Sequence, residues 1–166
     1  WKMNIGDIVV TKNFEVCKII DKVIKDFGIG PKTYLILEPY FAKQTTQDKI
    51  FIPENNKNLI RPIMEKEEAL KVINNIPQLE NVWYSDQKER KMKFEEMYKT
   101  GDANKICQLI KSLIKHNEEL KLTKHTLSML DKEFLDKLKE GICQEFAIAL
   151  NMPFESIERF IAEKVN

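Results

Sequence analysis

The chain has 166 residues, 43% of them apolar and 32% charged, a balance that excludes a disordered or fibrous polypeptide and suits one folded domain or two small ones. With 27 Lys/Arg against 26 Asp/Glu the formal net charge is +1, so no whole-chain field draws it onto nucleic acid or lipid, and any such contact must come from a local patch. No apolar run approaches the ~20 residues of a membrane span, and Trp1-Lys2-Met3-Asn4 lacks the apolar core of a signal peptide, which predicts a cytoplasmic protein with no membrane contact.

Short β-rich runs come first, separated by turn signals: Ile8-Val9-Val10, Val16 to Ile24, Tyr34-Leu35-Ile36-Leu37, Ile50-Phe51-Ile52 and Leu59-Ile60. Short strands so closely spaced predict a small Tudor-like or SH3-like β-barrel over residues 1–62. Gly6-Asp7, Gly28-Ile29-Gly30-Pro31 and Asn55-Asn56 supply turns, and Pro39 and Pro53 stop strands. The Gly-x-Gly at 28–30 opens no helix, so it reads as a hairpin loop rather than a phosphate cradle.

Past Pro62 the period becomes helical, and residues 63–166 read as an all-α bundle, making the fold class α+β. Glu65–Asn74 and Asp86–Lys99 are amphipathic and stop before Pro77 and Gly101. Ile106, Leu109, Ile110, Leu113 and Ile114 fall on one helical face, with Asp102 placed to cap the start and Lys111, Lys115 and His116 near the end. Leu127, Leu130, Phe134, Leu138, Ile142, Phe146 and Ala149 predict one long helix running through Gly141, a potential close-packing point. Pro153 is placed as the first residue of a last helix reaching about Lys164.

Residues able to do chemistry are sparse. Cys17, Cys107 and Cys143 form no C-x-x-C pair, their odd number suits a reducing compartment, and they read as small core hydrophobes. His116 and His125 form no metal-spaced pair, and His116 with Glu119 reads as a solvated helix end. No Ser-His, Cys-His or paired-carboxylate spacing stands out, so no enzyme, metal or cofactor is expected.

Residues 1–62 hold ten Lys/Arg and seven Asp/Glu, residues 63–166 seventeen and nineteen, so a basic patch in the second part must be local. It is found where Lys88, Arg90, Lys91 and Lys93 outnumber Glu89 just after Trp83-Tyr84. Two readings stay open: a solvated helix face with Trp83 packing the bundle against the barrel, or an apolar wedge beside phosphate-binding cations.

Several fragments together resemble one family. Ile5-Gly6-Asp7-Ile8-Val9-Val10, Tyr34-Leu35-Ile36-Leu37-Glu38-Pro39, Ile52-Pro53 and Asn58-Leu59-Ile60-Arg61-Pro62-Ile63 resemble the amino-terminal domain of the bacterial CarD/CdnL transcription regulators. Thr100-Gly101-Asp102, Asn104-Lys105, the helical spacing from Ile106 to Lys115, and Glu145-Phe146-Ala147-Ile148-Ala149-Leu150 are similar to its helical domain, in the same order, so the likeness runs from Ile5 to about Ile161. Two departures stand out. The stretch Thr11-Lys12-Asn13-Phe14-Glu15-Val16-Cys17 lacks the family's Tyr-Pro, His-Gly and Gly-Val-Gly pattern, predicting a reshaped first hairpin, and Phe51 stands where some relatives carry a basic residue.

The resemblance implies a non-enzymatic, bacterial, nucleoid-associated factor, monomeric, whose barrel pairs edge to edge with a lobe of the RNA polymerase β subunit. Lys25, at the end of the second strand, and Ile50, Phe51 and Ile52 would lie at or near that edge. The helical domain would touch promoter DNA at the upstream edge of the bubble, largely without reading sequence, and stabilise the open complex. Trp83 fits the family's tryptophan wedge by neighbourhood, although some members carry it at a register equivalent to Gln87; Tyr84, Lys88, Arg90, Lys91 and Lys93 would complete the contact. The alternative is a Tudor-like protein-interaction adaptor without direct DNA binding.

Overall fold

Val16, Cys17 and Ile19 are buried around an exposed Lys18, and burial then fades toward Asp26, so one strand serves first as core and then as an exposed arm. The computed structural model describes residues 2–41 and 49–166. The chain divides into two compact units, Trp1–Ile63 and Met64–Asn166.

The first unit is an antiparallel sheet of β1 (Ile8–Thr11), β2 (Val16–Asp26), β3 (Pro31–Pro39), β4 (Ile50–Pro53) and β5 (Ile60–Pro62), in the order β4-β3-β2-β1-β5. Val9, Cys17, Ile19, Leu35, Leu37, Ile52 and Ile60 form its core. The expected closed barrel is not what the pairings describe: the sheet is open, with β4 and β5 at its edges. Closure needs a tilted, staggered pairing of the two edge strands, and among the described residues none joins β4 to β5.

A register shift between Ile19 and Asp21 marks a β-bulge in β2. Within β2, strand β1 reaches only Val16 to Lys18, and β4 flanks β3 only as far as Tyr34, so Ile24–Asp26 and Pro31–Thr33 run on as a two-stranded arm. At its tip Asp26 Oδ1 accepts from the Gly28 and Gly30 N–H groups at 2.8 and 3.1 Å. Both glycines have positive φ, 102° and 96°, which side-chain-bearing residues rarely adopt, and the Gly-x-Gly is a hairpin turn.

The first hairpin is a three-residue loop, Lys12-Asn13-Phe14, closed by the Thr11 N–H donating to Glu15 O at 3.0 Å, with Glu15 leading into β2. Its last position takes the left-handed conformation normally given to glycine, yet it holds Phe14 at φ 58°. Burial of the phenyl ring, with the Arg61 guanidinium 5.8 Å from its centroid, offsets that strain.

The second unit contains α1 (Lys66–Asn75), α2 (Gln87–Lys99), α3 (Ala103–Leu122), α4 (Met129–Leu150) and α5 (Phe154–Val165). Starts are fixed by local chemistry. Asp86 accepts from Glu89 N, Asp102 from Asn104 N and Ser128 from Asp131 N. Asn151 ends α4 in the left-handed conformation, and Pro153 caps α5 rather than opening it. Helix α3 overruns its expected end near His116 by almost two turns, reaching Leu122, and packs against α1, α2, α4 and α5. The unit is cored by Ile73, Ile76, Phe94, Ile106, Leu109, Ile110, Leu113, Leu138 and Phe146.

All three cysteines are buried, which pushes each thiol up to about 12 and leaves them as apolar filling. No helix among the described residues is long and apolar enough to cross a membrane.

Candidate functional site

After α1 the chain makes a single 3-10 turn, Ile76–Gln78, and then runs without regular structure to Asp86. This connection carries Trp83 and Tyr84. Trp83 is half-buried and touches three side chains of the helical unit. The His116 imidazole stacks on it, centroids 3.6 Å apart and planes 17° apart; the Arg90 guanidinium carbon stands 4.5 Å from the indole centroid; Phe94 meets it edge-on at 6.0 Å. Two planar groups so close to one centroid cannot share a face without overlapping, so the indole lies between His116 and Arg90. Its faces are covered and its edge is what remains for a ligand, which narrows the expectation of a free stacking platform to that of an edge-presenting wedge. Tyr84, also half-buried, meets Phe94 edge-on.

Arg90 departs from the expectation of a phosphate anchor. Its side chain is buried, and its Nε and Nη2 donate to Asp131 Oδ1 and Oδ2 at 3.2 and 2.9 Å. Its Nη1 donates to the carbonyls of Tyr84 and Ser85 at 2.8 and 3.3 Å. Asp131 in turn accepts from the Ser128 hydroxyl at 3.0 Å. A guanidinium committed in this way is a structural strut.

The lysines divide between two flanks of α2. At about 100° per residue Lys88 and Lys91 lie some ~60° apart, while Lys93 falls on the far side. Lys88 and Lys91 are exposed and Lys93 is half-buried. Beside Lys91 a groove of about 210 Å³ opens between α2 and α4, lined among others by Phe94, Leu130, Phe134 and Lys137. Lys137 adds a cation that the sequence reading missed, its Nζ 4.5 Å from the Tyr98 ring centroid. Its spacing from Leu130 and Phe134, seven and three residues, was the available signal.

In the first unit the structure brings Lys25 and Phe51 together, with the Lys25 Nζ 5.2 Å from the Phe51 ring centroid. Ile50 and Phe51 are half-buried on the edge strand β4, whereas Ile52 is buried in the sheet core and offers only its backbone. Lys25 belongs to the outer end of β2, which among the described residues pairs there with β3 alone, so it stands at a free margin of the arm, on the other side of β3 from β4. The missed residues are apolar: Phe27 meets Tyr34 and Phe51 edge-on at 5.0 and 5.7 Å, and Ile24, Phe27 and Ile29 are 74%, 57% and 71% exposed. A hairpin tip of that kind exposes an apolar patch and is a candidate docking surface.

Among the described residues no three His, Cys, Asp or Glu side chains gather as a metal site. An open sheet with an apolar arm, and a helical unit with an aromatic loop beside exposed lysines, define a two-unit α+β protein that offers binding surfaces. The family model for the CarD C-terminal domain matches residues 71–162, more than half of the chain and nearly all of the helical unit, including the Trp83 loop. The chain belongs to the CarD family and is a transcription-related protein. A search of curated proteins returns no match.

Proposed function

We propose that the protein is a non-enzymatic transcription regulator that binds the β subunit of bacterial RNA polymerase through its sheet unit and stabilises the open promoter complex through its helical unit. The observation that carries this reading is the CarD match across the segment in which Trp83 is clamped at the surface. A rigid indole edge is suited to entering a minor groove at an opened step, and its fixed orientation lowers the entropy lost on binding. Lys88 and Lys91 would hold phosphates without reading sequence. So few cations give weak, salt-sensitive binding, which makes recruitment by the polymerase necessary.

On the polymerase side, β4, an edge strand among the described residues, offers backbone groups for pairing, and Lys25 with Phe51 and the arm tip offers a cation amid apolar surface. The Tudor-like character of the sheet belongs to this proposal, as do a cytoplasmic location and a monomeric state.

The adaptor reading is favoured by one observation, the covering of both indole faces. Purified protein should co-elute with core RNA polymerase and lengthen the life of open complexes on a promoter. Co-elution with unchanged lifetime would support the adaptor instead, and failure to co-elute would reject both roles at the polymerase.

A further inference from the structure

Helix α3 is buried on two sides for different reasons. Ile106, Leu109, Ile110 and Leu113 enter the core, while Gln108, Lys111, Ser112 and His116, at i, i+3, i+4 and i+8, share the other face. Lys111 is only 8% exposed, and its ammonium donates to the carbonyls of Ile76, Pro77 and Leu79 at 3.1, 3.1 and 2.6 Å. Three donors meet three acceptors, and among the described residues no carboxylate shares the cation. A buried cation held by carbonyls alone is costly to keep unless their geometry is fixed with it.

The rest of this face continues along the same connection. Gln108 Nε2 donates to Glu80 O at 3.1 Å. The Ser112 hydroxyl gives its hydrogen to Gln108 O at 2.8 Å, one turn back, and so aims a lone pair at the Val82 N–H, 2.8 Å away. His116 then stacks on Trp83. Contacts therefore reach Ile76, Pro77, Leu79, Glu80, Val82 and Trp83 from a single helix face.

We propose that Gln108, Lys111 and Ser112 are positioning residues: this polar face is a cradle that holds the 79–85 connection in one conformation and thereby aims Trp83. Ile106, Ile110 and Leu113, which carry much of the α3 contribution to the apolar core, lie on another flank of the helix. The consequence at DNA rests on the proposed function, whereas the cradle itself does not.

The test uses the full chain carrying Gln108→Ala with Ser112→Ala, and separately Lys111→Met and Ser112→Thr. Hydrogen exchange is followed at residues 79–85, with the buried amides of α3 and α4 as the internal reference. In the double variant the loop amides should exchange at least tenfold faster at an unchanged core rate, and Ser112→Thr, which keeps the acceptor, should stay near the parent. Unchanged loop exchange in the double variant, or equal acceleration throughout the helical unit, would overturn the cradle, including where Lys111→Met fails to fold. Open-complex lifetime in the same double variant should shorten toward that of Trp83→Ala. A loosened loop with parental lifetime, where Trp83→Ala does shorten it, overturns the positioning role. If Trp83→Ala leaves lifetime unchanged as well, the DNA reading has failed, and loop exchange alone decides the cradle.

Discussion

Arg90 and Asp131, from α2 and the first turn of α4, meet in a two-pronged ion pair at 2.9 and 3.2 Å, with 9% and 13% of their side-chain surfaces exposed. The pair joins two residues 41 apart in sequence, and the same guanidinium covers the Trp83 indole. Removing one partner leaves the other charge largely buried, which typically costs about 3–5 kcal/mol. Arg90→Ala and Asp131→Asn should therefore both lower thermal stability strongly. An Arg90 that acted as a phosphate anchor would give the opposite pattern, with stability kept and the salt slope of DNA association reduced, so the two measurements made on one variant settle its role.

The exposed lysines should behave otherwise. Lys88→Gln and Lys91→Gln each remove one phosphate contact in the proposed complex, lowering the salt slope by ~0.9 per residue at unchanged melting temperature. Lys93→Gln, on the far flank of α2, should leave the slope as it was. Equal effects at all three positions would show that the helix flank does not select the DNA side.

Local signals in the sequence were readable where both partners lie within one turn. Asp102 announces its helix because a cap is satisfied by an N–H two or three residues on. The apolar spacing from Leu138 through Ile142 to Phe146 likewise predicts α4. What could not be read depends on distant partners. Arg90 resembles its neighbouring lysines until Asp131 is known, and Lys111 resembles a helix-end cation until the carbonyls of Ile76, Pro77 and Leu79 converge on it. His116 with Glu119 looked solvated because Trp83, its stacking partner, is 33 residues away. Five strands suggested a barrel, but strand number does not fix closure; tilt and stagger do.

Alkaline conditions should expose the buried thiols. For Cys17, Cys107 and Cys143 the pKa is raised from 9.0 to about 12 by burial, so the folded state holds these protons more tightly than the unfolded chain. Their contribution to stability is fully present below about pH 9 and is lost as pH rises toward 12. Denaturant midpoints should fall across that interval. At pH 8 a thiol reagent should modify the cysteines only at the rate of opening, and immediate labelling of the native protein would contradict their burial.

On the sheet unit, Lys25→Glu places an anion over the Phe51 ring and at the proposed polymerase face. It should weaken the complex with the β subunit by roughly 1–3 kcal/mol, and Phe51→Ala or Phe27→Ala should weaken it without altering DNA-dependent steps beyond recruitment. Ile52→Ala should instead lower stability, because that side chain lies in the core. Unchanged affinity in Lys25→Glu, Phe51→Ala and Phe27→Ala together would reject this face as the docking surface.

The role of Trp83 is separable from its packing only through its partners. Trp83→Ala removes the wedge, but it also empties the space between His116 and Arg90, so a fall in stability is expected with any loss of activity. His116→Ala supplies the missing control, since it removes the stack and keeps the indole. If Trp83 acts at DNA, Trp83→Ala should shorten open-complex lifetime about tenfold or more, as loss of one base contact of ~1–3 kcal/mol would require. His116→Ala, losing part of the same packing, should then show a comparable drop in melting temperature with a distinctly smaller change in lifetime. Trp83→Phe should restore much of the stability and little of the lifetime, because a single ring fills the slot without reaching as far as an indole edge. Lifetimes that fall in proportion to melting temperature across all three variants would make Trp83 a packing residue, and the adaptor reading would take the place of the wedge.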